Sequence, residues 1–397
     1  MLALVLVGAF CGAAEADWPQ FRGPGNNSAA VAADLPIRWS DRENVAWRAD
    51  LPGRGVSSPI IVRGRVLLTA TTGLLHDRLH VLCFDTATGR RLWERQFWAT
   101  GRTSTHSSVS GAAPTAASDG TRVYAIFSSN DLICLDLDGN LGWYRGLTHD
   151  YPKSGNDVGM AASPALVDGI VVVQLESQGE SFAAGIDAAT GETRWHIGRP
   201  SVASWCSPIA LPSAGGRKTA VLLQATSGLA AHDAQTGALV WQVAAPCAGI
   251  ASSLLVGERL YVPMKGLTAL RLRDERGEPD RVWDANRLSP GSASPVVAGR
   301  RVYAVAGSIA KCGDAETGNV LWQLRLKGTH WATPLIAGGH MYCFNQDGEA
   351  RVIKLGDQQG EVVGEMKFGE SIHASPAVSG NALYVRTDKH LWKISKP

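Results

Sequence analysis

A nine-residue motif that recurs along the chain constrains its fold more than any other feature. The motif has the form Asp-x-x-Thr-Gly-x-x-x-Trp, and in five places a turn glycine is followed by tryptophan at the fourth position. Full copies begin at Asp85, Asp187, Asp233 and Asp314, and a copy one residue shorter begins at Asp136. Self-similarity with a period of roughly 40 to 50 residues indicates a radial array of repeated units rather than one wound domain.

The residues around each motif indicate a unit of four short strands. Asp accepts hydrogen bonds from turn amides and Gly supplies a positive φ, so one strand ends at Asp and the next returns carrying Trp. Most units have an upstream Ser-Pro or Thr-Pro, where Pro is tolerated as the first residue of a strand: Ser58, Ser163, Ser207, Ser294, Thr333 and Ser375. Such small sheets bury their faces by stacking in a ring, which is a β-propeller.

Counting the strand groups predicts an all-β, eight-bladed β-propeller. The groups begin near Pro59, Pro114, Pro164, Pro208, Ser253, Pro295, Pro334 and Pro376. The last group has only three strands, so we predict that an N-terminal strand at Trp47 closes the last blade and removes the open edge. Seven blades is the alternative, because two motif copies are degraded: Asp274 to Trp283 is lengthened, and Gly364 stands where Trp is expected.

The chain divides into three regions. Residues 1–16 end in Ala14-Glu15-Ala16 and are too short to span a bilayer, which is typical of a signal peptide. We expect an exported, periplasmic or extracellular monomer, free or membrane-associated, with no transmembrane segment in the mature chain. The sequence predicts an extended arm over residues 17–44 and the propeller over residues 45–397. We expect deletion of residues 17–42 to leave the ring folded and deletion of residues 17–51 to destabilise it. The net charge of +2 is scattered, which argues against nucleic-acid binding.

The repeats resemble PQQ-like propeller repeats, which also occur in the outer-membrane assembly lipoprotein BamB and in quinoprotein alcohol dehydrogenases. A narrower resemblance is to exported PQQ-like repeat proteins of planctomycete-type bacteria. It rests on WPQFRGP at 18–24, ENVAW at 43–47, LPGRG at 51–55, SWCSP at 204–208 and IHASP at 372–376. The resemblance covers the whole mature chain and implies the propeller fold. It implies little about activity, because most members of that group have no assigned reaction.

The resemblance to quinoproteins raises a catalytic alternative, a PQQ- and calcium-dependent oxidoreductase. Those enzymes hold the quinone and calcium in the central channel with carboxylate and amide ligands, a catalytic Asp and often a disulfide between adjacent cysteines. Here the segments entering the inner strands contain only two carboxylates, Asp157 and Glu370, and no two cysteines are adjacent. We therefore predict no catalytic residue, no metal ligand and no cofactor, with PQQ and calcium as the alternative.

The cysteines predict packing positions rather than a metal site. Cys83, Cys134 and Cys312 each precede the turn Asp by two residues, where other copies carry Gly185 or Ala231. A position that accepts Gly, Ala or Cys is small and buried. No Cys/His spacing typical of zinc occurs in the sequence.

Six residues near the starts of inner strands are candidate binding residues at one channel mouth: Arg54, His106, Trp205, His330, Trp331 and His373. The competing interpretation is that each satisfies a local loop hydrogen bond. Seven other tryptophans occupy the outer-strand position and should pack between blades: Trp47, Trp93, Trp143, Trp195, Trp241, Trp283 and Trp322.

These observations predict a non-catalytic binding or scaffold protein of the cell envelope that presents one propeller face to a protein, peptide or glycan. Fold does not dictate function, so this prediction rests on analogy and on the lack of a recognisable reaction motif. A small-molecule lectin or sensor is a further alternative. It requires Trp205, Trp331 and the three histidines to cluster in a single pocket.

Overall fold

The computed structural model describes residues 16–40, 42–106, 109–155, 158–214, 218–273 and 277–397, so nearly all of the predicted signal peptide lies outside it. Eight antiparallel sheets are arranged around a central axis as the blades of a propeller. Within these ranges two single-turn helices occur, Leu147–Asp150 and the 3-10 helix Asn286–Leu288. Neither has the length and apolar composition of a membrane-spanning segment. The predicted eight-bladed all-β fold is confirmed, and the seven-bladed alternative is wrong.

In the first four blades the chain runs from the innermost strand outward. Blade 1 has Ile60–Val62, Arg65–Thr72, Arg78–Asp85 and Arg91–Trp98. Blade 2 has Ala117–Ser118, Arg122–Ile126, Asp131–Asp136 and Leu141–Gly146. Blade 3 has Ala165–Val167, Ile170–Leu175, Ser181–Asp187 and Thr193–Arg199. Blade 4 has Ile209–Leu211, Ala220–Ala225, Gly228–Asp233 and Leu239–Val243.

Blades 5 to 7 repeat this order, and blade 8 departs from it. Blade 5 has Leu254–Val256, Arg259–Pro263, Leu267–Arg271 and Asp280–Ala285. Blade 6 has Val296–Ala298, Arg301–Ala306, Ile309–Asp314 and Val320–Arg325. Blade 7 has Leu335–Ala337, His340–Phe344, Glu349–Leu355 and Gly360–Lys367. Blade 8 has Ala377–Ser379, Ala382–Arg386, His390–Ser395 and, outermost, Val45–Asp50.

Blade 8 joins the two ends of the propeller. Its three inner strands come from the C-terminal part of the chain, and Val45–Asp50 pairs antiparallel to His390–Ser395, with Ala49 opposite Leu391. The prediction that an N-terminal strand closes the last blade is therefore confirmed. This pairing covers the sheet edge that a linear array of blades leaves exposed.

The repeated motif also links each blade to the next. The ring of Trp195 lies 2.8 Å from where a Cβ would stand on Gly237, the turn glycine of the following blade. The indole N–H of Trp195 donates to the carbonyl of Ala234, one residue after the turn Asp, at 2.9 Å. The same indole-to-carbonyl bond is made by Trp47, Trp93, Trp143, Trp283 and Trp322. The motif thus encodes both a hairpin and an inter-blade contact.

The N-terminal arm replaces the tryptophan that blade 7 lacks. Gly364 stands at that position, and a Cβ there would collide with the carbonyl oxygen of Ile37 in the arm. Trp39 of the arm is 7% exposed, and its ring centroid lies 6.0 Å from that of Phe368. An arm residue therefore fills the junction between blades 7 and 8.

The arm, residues 17–44, also crosses one end of the central channel. Trp18 exchanges main-chain hydrogen bonds with Ile61 in the inner strand of blade 1. Arg22 then donates to the carbonyl of Ser253 beside blade 5, and Ala29–Ala30 pairs in parallel with the inner strand of blade 7. Since blades 1 and 5 are opposite each other in an eight-bladed ring, the arm covers this end of the channel.

Candidate binding site at the channel mouth

A closed ring of hydroxyl groups lines the channel. One Ser or Thr precedes the inner strand of every blade, and we call these residues the hydroxyl ring: Ser58, Thr115, Ser163, Ser207, Ser252, Ser294, Thr333 and Ser375. The main-chain N–H of each member donates to the hydroxyl of its counterpart in the next blade, at 2.9 to 3.2 Å. The bond from Ser375 to Ser58 completes the cycle. The ring therefore ties the blades together at their inner edges.

A second layer of side chains lies two residues before the hydroxyl ring in each blade. Side chains two residues apart in an extended segment point the same way, so both layers face the axis. The members of the second layer are Val56, Ala113, Ala161, Trp205, Ile250, Ser292, Trp331 and His373. Alanine or serine in three blades leaves room on the axis, whereas valine, isoleucine, two tryptophans and a histidine from the other five line it.

The two layers enclose a cavity of about 420 Å³ with a mainly apolar lining. Phe21 of the arm lines it, as do the loop residues His106, Val109 and Val158. The arm bonds to blade 1 at Ile61, three residues after the hydroxyl ring, so Phe21 lies at the end opposite the second layer. The second layer thus forms the channel mouth, and the volume falls in the range of roughly 300–1,000 Å³ usual for ligand pockets.

Four of the six candidate residues line this single cavity, namely His106, Trp205, Trp331 and His373. Trp331 and His373 meet edge to face, with ring centroids 6.4 Å apart. The indole N–H of Trp205 donates to the Gly159 carbonyl at 2.8 Å. A ligand in the cavity can therefore contact the ring of Trp205 but cannot accept a hydrogen bond from it. Burial is the main cause that lowers the pKa of His373, and its imidazole is therefore neutral at neutral pH.

The other two candidates lie outside the cavity lining. Adjacent side chains in an extended segment face opposite ways, so His330 and Trp331 do not both reach the axis. His330 is 2% exposed, its Nδ1 lies 2.9 Å from the Gly307 carbonyl oxygen, and burial lowers its pKa. Arg54 is exposed and pairs through its main chain with Thr71. The local loop contact is thus the structural role of His330.

The described lining of the cavity does not fit a quinone held with calcium. Asp157 lies outside the described residues. Glu370 is not part of the lining. It accepts hydrogen bonds from the Thr387 hydroxyl and the Lys389 amide, and contacts His390 Nδ1 at 2.6 Å. Hydroxyls, imidazoles and indoles line the described cavity instead of the charged oxygen ligands that a hard dication prefers. The described ranges also contain no group of three or more His, Cys, Asp or Glu placed to hold a metal.

Exposed aliphatic side chains surround the mouth. In an antiparallel four-stranded blade, the entry to the inner strand and the hairpin between the second and third strands lie on the same face, which we call the mouth face. Val158, Val202 and Ile250 lie in the segments that lead into the inner strands of blades 3, 4 and 5. Leu74 and Leu75 lie in the hairpin between the second and third strands of blade 1. Their exposed fractions run from 38% to 96%. Apolar groups displayed around an open cavity favour contact with a partner.

Three features of the site were not among the candidates from the sequence: the hydroxyl ring, Phe21 and Arg22. Six of the eight ring members are the Ser or Thr of a Ser-Pro or Thr-Pro start, so the repeated pattern could have pointed to these positions. A linear repeat does not show that the hydroxyl of one copy meets the amide of the next. Phe21 and Arg22 belong to no repeat, and only the path of the arm brings them to the axis.

Comparison with known proteins identifies the kind of propeller. A family described as outer membrane protein assembly factor BamB matches residues 37–204, 154–256, 276–362 and 308–396. The crystal structure of BamB from Moraxella catarrhalis is 17% identical, with a TM-score of 0.63 over 88% of this chain and 97% of that one. A search of curated protein sequences finds no significant match.

Two oxidoreductases have similar structures. A europium-containing methanol dehydrogenase is 12% identical, with a TM-score of 0.68 over 96% of this chain and 98% of that one. The quinohemoprotein alcohol dehydrogenase from Comamonas testosteroni is 14% identical, with a TM-score of 0.69 over 96% of this chain and 81% of that one. At such identities the likeness shows a shared propeller fold and nothing about chemistry.

Proposed function

Because the chain belongs to the family of outer membrane protein assembly factor BamB, we propose that it is a non-catalytic binding protein of the cell envelope. A segment of a protein or peptide partner enters the cavity, and the rest lies on the mouth face. The observation that carries the proposal is the cavity of about 420 Å³, which contains two tryptophans and is backed by the arm. Export by residues 1–16 is part of the same proposal.

Burial of an apolar group is the main source of affinity in this proposal. One aromatic or branched aliphatic side chain moved from water into the cavity contributes about 1.5–3 kcal/mol. Trp205 and Trp331 provide rigid contact area with little loss of side-chain entropy on binding. The exposed Val158, Val202 and Ile250 extend the contact outward, and aliphatic groups favour a peptide over a glycan because they offer sugar hydroxyls no hydrogen bonds.

The hydrogen bonds around His373 support binding rather than catalysis. A serine nucleophile needs its hydroxyl proton directed at a general base. Beside His373, the Ser371 Oγ lies 3.4 Å from the imidazole Nδ1. The Ser371 hydroxyl, however, donates to the carbonyl of Gln346 at 2.6 Å. This serine is therefore not activated by the histidine.

A titration with the neutral apolar fluorophore N-phenyl-1-naphthylamine tests the proposal. The purified protein is compared with Trp331→Ala and with Trp98→Ala, whose tryptophan is 61% exposed on the outer strand of blade 1 and outside the cavity. We expect saturable binding that Trp331→Ala weakens about tenfold, the equivalent of roughly 1.4 kcal/mol. The Trp98→Ala protein should bind as the parent does.

Two results would overturn the proposal. One is the absence of saturable binding, or an equal effect of the two substitutions. The other is saturable binding of PQQ with calcium together with alcohol-dependent reduction of a dye, which would establish the oxidoreductase alternative.

A further inference from the structure

We infer that the hydroxyl ring binds the carboxylate of an apolar ligand, so that the cavity takes an acid group at its base and the apolar body in the mouth. This chemistry is shared by the C-terminus of a peptide that ends in an apolar residue and by a free apolar carboxylic acid. The inference rests on the proposed function, because it specifies what that same cavity binds.

The hydroxyl ring is a set of donors without acceptors. Its eight members are 2% to 8% exposed. Each hydroxyl oxygen accepts a main-chain N–H from the preceding blade, and none of the eight hydroxyls donates to an acceptor elsewhere in the described chain. A serine hydroxyl has one proton to donate, and leaving such a group unsatisfied in a buried site is unfavourable. An oxygen-rich ligand on the axis supplies the missing acceptors.

A buried positive charge lies beside this ring. Arg22 is 1% exposed, and its Nη1 and Nη2 donate to the carbonyls of Ser252, a ring member, and Ser253 at 3.4 and 2.7 Å. Its Nε has no partner, and within the described ranges no carboxylate is among the groups that act on its charge. Burial lowers the pKa of Arg22 to about 9, so the group remains a cation at neutral pH.

Arg22 lies close enough to the cavity for its positive charge to attract a negatively charged ligand there. Its guanidinium carbon is 5.3 Å from the ring centroid of Phe21, which lines the base of the cavity. Charges interact more strongly in a buried, poorly hydrated site than in water. A negative group on the hydroxyl ring therefore offsets a buried cation that has no counter-ion, and a positive group is repelled.

The shape of the cavity restricts the kind of anion. Above the ring, the walls are apolar and include Val109, Trp205, Ile250 and Trp331. An inorganic anion would leave these walls in contact with water, whereas an apolar body covers them. Hydrogen bonds to an ionised carboxylate are stronger than those to a neutral amide. The site should therefore distinguish an acid from its amide when their apolar bodies are the same.

Calorimetric titration of the full mature protein at pH 7 tests this. The probes are 3-phenylpropionate against 3-phenylpropionamide, and a pentapeptide ending in Leu with a free carboxylate against its C-terminal amide. We expect the acid of at least one pair to bind roughly tenfold more tightly than its amide. Preference within the peptide pair identifies a polypeptide terminus as the ligand, and preference within the small-molecule pair alone identifies a free acid.

Two substitutions test whether the hydroxyl ring and Arg22 cause the preference for the acid over its amide. Ser207→Ala removes one ring hydroxyl, and Arg22→Met removes the charge while retaining the volume; each should reduce the acid-to-amide ratio about threefold or more. Ser154→Ala is the matched control, because Ser154 is also buried but bonds to Tyr151 away from the cavity. The Ser163 amide loses its acceptor in Ser207→Ala, so melting temperatures are measured in parallel.

If Ser207→Ala does not fold, the parent protein and Arg22→Met decide the question. Equal affinities for acid and amide in both pairs would overturn the inference while leaving the proposed function standing, since both apolar bodies bind. An acid preference unaffected by Arg22→Met and Ser207→Ala would also overturn it. If neither the probes nor N-phenyl-1-naphthylamine bind, the proposed function itself fails.

Discussion

The turn glycines of the motif have two separate reasons to be glycine. Gly237 has a φ of +70°, a conformation that other residues adopt only with strain. A Cβ at this position would also stand 2.8 Å from the ring of Trp195 in the preceding blade. Gly257 has a φ of +60° but nothing within 4 Å of its Cβ position, so it shares only the first reason.

This pair of glycines makes the inter-blade contact measurable. Gly257→Ala should cost about 1–2 kcal/mol from backbone strain alone. Gly237→Ala should cost a further 1–3 kcal/mol or so, because the new methyl group must displace a packed tryptophan. Denaturant unfolding midpoints for the two variants provide the comparison, and equal losses would show that the tryptophan contact does not constrain this position.

At the scale of the element, the N-terminal arm is the part of the fold that differs most from what its sequence indicates. Its Gly and Pro residues predict an extended segment, and that deletion of residues 17–42 leaves the ring folded stays a prediction. In the structure Trp18, Leu35 and Trp39 are 3%, 2% and 7% exposed, and Arg22 reaches the base of the cavity. The arm therefore contributes to the core as well as closing the channel.

Deleting residues 17–40 tests the contribution of the arm. The deletion leaves the closing strand Val45–Asp50 in place, so all eight sheets should still form. Losing three buried side chains at about 1.5–3 kcal/mol each should lower the melting temperature clearly. Circular dichroism measures both the β-sheet content and the melting temperature. Deletion of residues 17–51 is the control, which also removes the closing strand and should abolish cooperative unfolding.

An unchanged melting temperature for the shorter deletion would contradict this account. Failure of the shorter deletion to fold at all would show that the arm, rather than the closing strand, holds the ring together.

The blades were predictable from the sequence because their determinants are local and repeated. The closing strand at Trp47 was found by counting, since one blade lacked a fourth strand. Trp205, Trp331 and His373 were found because each stands three residues before the proline at which an inner strand is predicted to begin. His330 was included because a sequence does not show on which side of an irregular segment a side chain lies.

The contacts of the arm could not be predicted in this way. Arg22 meets Ser253 across 231 residues of sequence, and no repeat or spacing connects the two. The hydroxyl ring has the same property at the scale of the whole molecule, because each of its bonds joins two different blades. Properties that arise only when the ring is complete leave no local pattern to detect.

For the whole molecule, a rigid ring of eight blades brings together a cavity and an apolar face at one end of the channel, and we propose that both bind a partner. Among the described residues, no Asp or Glu lines that cavity, and no group of three or more His, Cys, Asp or Glu is placed to hold a metal. The rigid blades serve to hold the two layers of side chains in position, and the arm serves to close the far end.

Site-specific photo-crosslinking measures whether a partner contacts the mouth face. The photoreactive residue p-benzoylphenylalanine replaces Ile250, which is 39% exposed at the mouth, or Leu321, which is 37% exposed on the outer strand of blade 6. Each variant is irradiated with an envelope fraction of the source organism. We expect one discrete adduct from position 250, lost on adding excess N-phenyl-1-naphthylamine, and none from position 321. Equal labelling at both positions, or an adduct from position 321 alone, would show that the mouth face is not the binding surface.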